Sequence, residues 1–186
     1  MSKLGFKNRQ NRWRPEIFYD DLTIDDLFID QWFGKFNPNN RFDVFVSDLI
    51  NALHLRREEY TEKVWNYLGQ LNAGDHYFVP VLACPDDLDL TCCVIVADQL
   101  VSENSIKWLR YGFLLGDLDK QNSDNIEWFS NVPALEFEKQ NFIDTFQFFA
   151  TKINQEAEIY GEKLNLKIPT DPPKEDWELI VDSWYD

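Results

Sequence analysis

The stretch from His76 to Leu115 constrains this chain more than any other. His76 to Cys84 is dense in aromatic and β-branched residues. Leu90 to Val101 contains Cys93-Val94-Ile95-Val96, and Ile106 to Leu115 repeats the pattern. Side chains of this kind suit a pleated, half-buried surface. Pro85-Asp86-Asp87 and Glu103-Asn104 separate the runs and carry turn-forming residues. Runs joined so closely pair with one another, so the stretch predicts an antiparallel meander of at least three strands.

Helical spacing surrounds this sheet. Phe42, Phe45, Val46, Leu49, Ile50 and Leu53 predict one helix. Tyr60, Val64, Tyr67, Leu68 and Leu71 predict a second over residues 57–71. A break near His54-Leu55 makes the pair an N-terminal helical hairpin. A shorter helix is expected from an N-cap at Thr23 to Phe33, closed by Gly34. Phe142, Phe146, Phe149, Ile153 and Tyr160 form the apolar stripe of a long helix over residues 139–160, ended by Gly161. Residues 126–137 are expected to add a short irregular strand around Pro133. The expected fold class is therefore α+β: an antiparallel β-meander of at least three strands, packed with an N-terminal helical hairpin and a long C-terminal helix.

With 186 residues the chain suits one domain with a core of its own. Residues 1–16 read as a flexible basic arm and residues 17–161 as a single α+β domain. Residues 162–186 read as a tail stiffened by Pro169, Pro172 and Pro173. The end of that tail, from Trp177 to Tyr185, is too apolar to stand in water and is expected to dock on the domain.

The net charge is −15, unevenly spread. Lys3, Lys7, Arg9, Arg12 and Arg14 occupy the first fourteen residues without a single acid, so the rest is more acidic than the total suggests. Such a body repels nucleic-acid phosphates and anionic membranes and attracts cationic proteins. A basic protein partner is expected, and neither nucleic acid nor membrane. Cys84, Cys92 and Cys93 are odd in number, and the adjacent pair is poorly placed for a disulfide. With no secretory signal pattern and no apolar run of about 18 residues, a reduced, cytoplasmic protein is expected.

Motifs for chemistry are missing. There is no GxGxxG, P-loop, GxSxG or HExxH, and no lysine has Asp or Glu two positions before it. His54 reads as a helix-end residue. His76 follows Asp75, but neighbours on a strand face opposite ways, so that pair is a poor catalytic dyad. Cys84, Cys92, Cys93 and His76 lack the CxxC knuckles of a structural zinc site. The loop opening at Asp117 starts like a calcium loop. It then carries Asn122 where glycine is needed and Trp128 where a bidentate glutamate is needed. No cofactor, no metal and no catalytic residue is expected.

Binding residues are the remaining candidates. A loop before the second strand and a loop after the third fall at the same end of a meander, so Asp86, Asp87, Asp89, Asp117, Asp119 and Asp124 are expected on one acidic rim. Strand alternation puts Trp108 and Arg110 on one face and Tyr111 on the other. These three are recognition candidates because Trp, Tyr and Arg dominate interface hot spots. Their alternative role is core packing with Arg110 at the edge.

In size, acidity and helix-then-meander order the chain resembles the bacterial immunity proteins of contact-dependent and other polymorphic toxin systems. Those families share no diagnostic residue, so the resemblance assigns no site. It implies a cognate toxin domain, often a basic nuclease, blocked by electrostatically steered binding. Two alternatives stand beside it. One is a nucleic-acid mimic of the anti-restriction kind, disfavoured by Lys and Arg interspersed among the acids of the helices. The other is an enzyme or small-molecule binder whose site is assembled from distant residues.

Overall fold

A computed structural model describes residues 1–10, 15–16, 18–37, 46–47, 64–83, 94–116, 120, 122–159 and 166. Strand β1 (Leu4–Gln10) runs antiparallel to β2 (Phe18–Ile24), from Leu4 opposite Ile24 to Gln10 opposite Phe18. Asp25 and Asp26 then turn the chain with positive φ of 49° and 69°, and β3 (Leu27–Phe28) returns along β2. Two consecutive left-handed residues match the twist of a tight hairpin, and Asp tolerates that conformation better than most residues. Helix α1 (Ile29–Phe36) follows directly and buries Ile29, Trp32 and Phe33.

This corrects the expected architecture. The N-terminal part is a three-stranded antiparallel sheet, not a helical hairpin. Leu4–Gln10, read as part of a basic arm, is a strand. Thr23 lies within β2 and caps no helix, and Gly34 sits inside α1. In the middle of the first predicted hairpin helix, β4 (Val46–Ser47) is extended and pairs with Ala83 and Leu82. The Val44-Phe45-Val46 run is β-branched and aromatic, and pairing with a sheet edge outweighed a helical spacing that gave the same residues a second reading. Residues 64–68 of the second predicted helix are helical. The remainder of the hairpin, including His54, lies outside the described residues.

The second sheet has six strands. Its order is β4, β5 (His76–Ala83), β6 (Val94–Val101), β7 (Ser105–Leu114) and β8 (Ile126–Trp128), with β9 (Leu135–Glu138) also on β7. Both β8 and β9 use the outer edge of β7, one at each half. Gly112 to Leu114 pair with β8 and Ser105 to Trp108 with β9. Two register shifts shape the interior. The β5–β6 ladder slips between Pro80 and Leu82, and the β6–β7 ladder slips around Asp98. At the second shift Ala97 lies opposite Tyr111 and Gln99 opposite Trp108, so Leu109 and Arg110 together oppose Asp98. This is a β-bulge, with one extra residue on β7.

The bulge overturns the face assignment made from alternation. Trp108 and Tyr111 share one face, with ring centroids 6.2 Å apart, and both are fully buried. Trp32 and Phe33 of α1 pack on Tyr111 at 5.7 and 5.1 Å. Phe137 and Phe142 pack on Trp108 at 5.0 and 6.3 Å. The C-terminal helix α2 (Lys139–Ile159) supplies Phe142, Phe146, Phe149, Ala150, Ile153 and Ala157, a helical stripe that is wholly buried. Burying each large apolar ring of this core contributes roughly 1.5–3 kcal/mol. Asn141 of α2 fixes the first sheet to the helix. Its side chain accepts from Leu4 N at 3.0 Å and donates to Leu4 O at 3.1 Å. Of the expected docking tail only Leu166 is described. It is buried and bonded through both backbone groups to the Asn154 side chain.

Gly112 marks where β7 and β8 approach most closely. A Cβ there would lie 2.5 Å from Glu127 O and 2.6 Å from Ile126 Cγ2. A Cβ on Gly34 would meet no atom of the described residues within 4 Å, and the backbone there is ordinary helix. Gly112→Ala is expected to destabilise the fold by about 1–3 kcal/mol. Gly34→Ala is expected to stabilise it by up to about 1 kcal/mol. Urea unfolding followed by Trp fluorescence separates the two. Equal effects at both sites would contradict the close β7–β8 packing.

Candidate functional site

The sequence-predicted binding residues divide three ways. Asp86, Asp87, Asp89, Asp117 and Asp119 lie outside the described residues, as do Cys84, Cys92 and Cys93. The roots of the two acidic loops are described. Ala83, Val94 and Leu114 stand in one cross-strand row, so both loops leave from one end of the sheet. Asp124 is exposed on the second loop, where its backbone N–H donates to Asn122 Oδ1 at 3.0 Å. Trp108 and Tyr111 are core residues with no accessible surface, so neither can touch a partner in the folded chain. Burial pushes the Tyr111 phenol well above its ordinary range, and its hydroxyl has no hydrogen-bond partner among the described residues.

Arg110 is the one of the three aromatic-strand candidates that reaches the surface. The bulge turns it away from Trp108 and onto Asp98, whose Oδ2 accepts from Arg110 Nε at 2.7 Å. The other oxygen of Asp98 is bonded to His76 Nε2. Asp98 is 3% exposed, against 52% for the His76 side chain and 46% for Arg110. The guanidinium lies 3.9 Å from the centre of the Trp128 ring, and Phe78 packs on that ring at 5.6 Å. Each oxygen of this buried carboxylate is thus bonded to a group from a flanking strand. The geometry gives His76 a positioned partner, but that partner is Asp98 and not the adjacent Asp75. The signal available in the sequence was a lone acid inside the apolar run from Val94 to Val101.

A second buried cluster sits in the first sheet. Arg9 Nη1 donates to Asp21 Oδ2 at 2.8 Å and to Asp30 Oδ1 at 3.0 Å, and Nη2 reaches Asp30 Oδ2 at 3.3 Å. The guanidinium also covers the Phe28 ring at 4.4 Å. Burial alone would lower the Arg9 pKa, but hydrogen bonds and charge from Asp30 and Asp21 hold it above the ordinary value. Burial pushes the Asp21 carboxyl up to about 6 against the pull of Arg9. One cation thereby ties β1 to β2 and to the first turn of α1.

The remaining described ion pairs also consume basic side chains. Lys7 pairs with Asp26, Lys107 with Glu136 and Lys152 with Asp20. Hydrogen bonding from Ser105, with Lys107 nearby, holds the Glu136 carboxyl below its ordinary range. Asp144, Glu103, Glu127, Glu138 and Glu158 stay exposed. Between the start of β1, the Asp25-Asp26 turn and α2 lies a cleft of about 620 Å³, where the half-exposed Phe6 ring meets Asp25, Asp26 and Asp144. Among the described residues, no group of three or more His, Cys, Asp or Glu side chains is placed to hold a metal. Nor is any described helix long and apolar enough to cross a membrane. In comparisons with known proteins the chain matches no family, no curated protein and no solved structure.

The raised Asp21 pKa sets a pH dependence. A carboxyl whose folded pKa exceeds its ordinary 3.8 binds its proton more tightly in the folded state. Its contribution is complete below about pH 4 and is lost as pH rises through about 6. The unfolding free energy of the native chain, minus that of Asp21→Asn, is expected to fall by on the order of 2 kcal/mol across that window. Urea unfolding of both proteins at a series of pH values measures the difference. A difference that stays constant would show that Asp21 does not titrate there.

Proposed function

We propose that this chain acts by binding a basic protein and blocking it, as an immunity protein blocks its cognate toxin domain. The observation that carries this reading is how its charge is disposed. The chain is acidic by fifteen charges. Lys7, Arg9, Lys107, Arg110 and Lys152 are each engaged by the chain's own carboxylates. These five basic side chains are therefore paired within the chain, and the net field outside is negative. Such a field raises the association rate of a cationic partner by roughly 10–1,000-fold and disfavours anionic ones.

The shared row of Ala83, Val94 and Leu114 supports the acidic loops at residues 84–93 and 115–125 as the steering surface. Asp124 stands exposed on the second of them. The reading excludes Trp108 and Tyr111 from the interface and leaves Arg110 to the Asp98 cluster.

The test uses the chain as bait in a lysate of its source cell, with captured proteins identified by mass and association followed at low and high salt. A stoichiometric basic partner is expected. Its association should slow with salt and should fall by at least about tenfold on replacing Asp86, Asp87 and Asp119 together with Lys. An unchanged rate in that variant would remove the loops from the interface. Failure to capture any basic protein would remove the reading itself.

A further inference from the structure

The face of the six-stranded sheet opposite Trp108 and Tyr111 carries a polar island at one end, beyond the buried Val94 and Val96. Strands β5 and β7 flank β6, so their backbones stand about 10 Å apart. His76 comes from one and Arg110 from the other, and both lean inward onto the two oxygens of Asp98. Lys107 joins them on this face. It shares a cross-strand row with His76 through Leu100, and its Nζ stands a loose 3.4 Å from Glu136.

The direction of each donor matters. His76 meets Asp98 through Nε2, leaving Nδ1 with no partner among the described residues. Arg110 meets it through Nε, leaving the Nη1–Nη2 edge with no partner among them either. That edge presents two parallel N–H groups, the arrangement that a carboxylate or phosphate accepts in bidentate fashion. The guanidinium plane is already fixed by Trp128 at 3.9 Å, and Trp128 is braced by Phe78. Little side-chain freedom is left to lose on binding, which favours affinity. The one carboxylate at the centre is buried, so the outward side of the cluster offers the N–H groups of Arg110, joined by His76 Nδ1–H when that imidazole is protonated.

We infer that His76 and Arg110, held on the two oxygens of Asp98, form a binding site for a small anionic group, the phosphate or carboxylate of a small molecule. Lys107 lies at its edge. The inference does not rest on the binding of a basic protein, which uses the acidic surface elsewhere. In a chain of net charge −15 the site's positive field is local, so weak binding is expected.

The experiment titrates the full chain with inorganic phosphate, and separately with acetate, at constant ionic strength held by chloride. The imidazole signals of His76 and the indole signal of Trp128 are followed by NMR. The chain has two histidines, and His54→Gln identifies which signals belong to His76. Saturating shifts at both residues are expected with at least one of the anions, and which anion saturates separates the phosphate class from the carboxylate class. Arg110→Gln should weaken the binding by about tenfold or more. Lys152→Gln, which removes an ion pair remote from the cluster, should leave it unchanged. Shifts that rise linearly without saturation, or that persist in Arg110→Gln, would overturn the proposal. Should that variant misfold, the native titration with both anions decides alone.

Discussion

One extra residue in β7 governs much of this structure. Opposite Asp98 the ladder takes up both Leu109 and Arg110, and every side chain beyond that point changes face. Without the bulge, Trp108 and Tyr111 would lie on opposite sides of the sheet. With it they share a face and meet Trp32, Phe33, Phe137 and Phe142 in one aromatic core. The same shift sends Arg110 outward to Asp98 and Trp128. The outer edge of β7 is interrupted here too, since β9 stops at Leu135 opposite Trp108 and β8 begins its pairing at Gly112. Core packing and the polar island are two consequences of one local irregularity.

Both buried charge clusters follow a common physical logic. A carboxylate removed from water costs several kcal/mol unless partnered. Asp98 recovers that cost through His76 and Arg110, which fill both of its oxygens. Asp21 and Asp30 share Arg9, and burial still holds the Asp21 carboxyl up to about 6 against its pull. In each case the partners come from different elements, so the pairing also specifies which strands and helix belong together.

The local signals of the sequence were informative where side-chain type and burial agreed. Val94-Ile95-Val96 and the stripe from Phe142 to Ile153 read correctly as a buried strand and a long helix, because each pattern has one physical solution. The Val44-Phe45-Val46 region had two. Its spacing fits a helix and its β-branched content fits a strand, and only the open edge of β5 decides between them at Val46–Ser47. Asp25-Asp26 falls at the start of the helix expected from Thr23 but makes a hairpin with positive φ. The Asp98 cluster was half visible, as a lone acid in an apolar run. Its partners at His76 and Arg110 lie 22 and 12 residues away, and no local pattern joins them. Trp108 and Tyr111 looked like recognition residues because alternation cannot foresee a bulge.

The most direct measurement of this account is the cross-strand pairing of β6 and β7 by proton–proton NOE spectroscopy. Contacts should pair Gln99 with Trp108 but Ala97 with Tyr111, and the Trp108 and Tyr111 rings should see each other. A regular ladder, with Ala97 facing Arg110 and no contact between the two rings, would contradict the bulge and with it the common origin of the core and the Asp98 cluster.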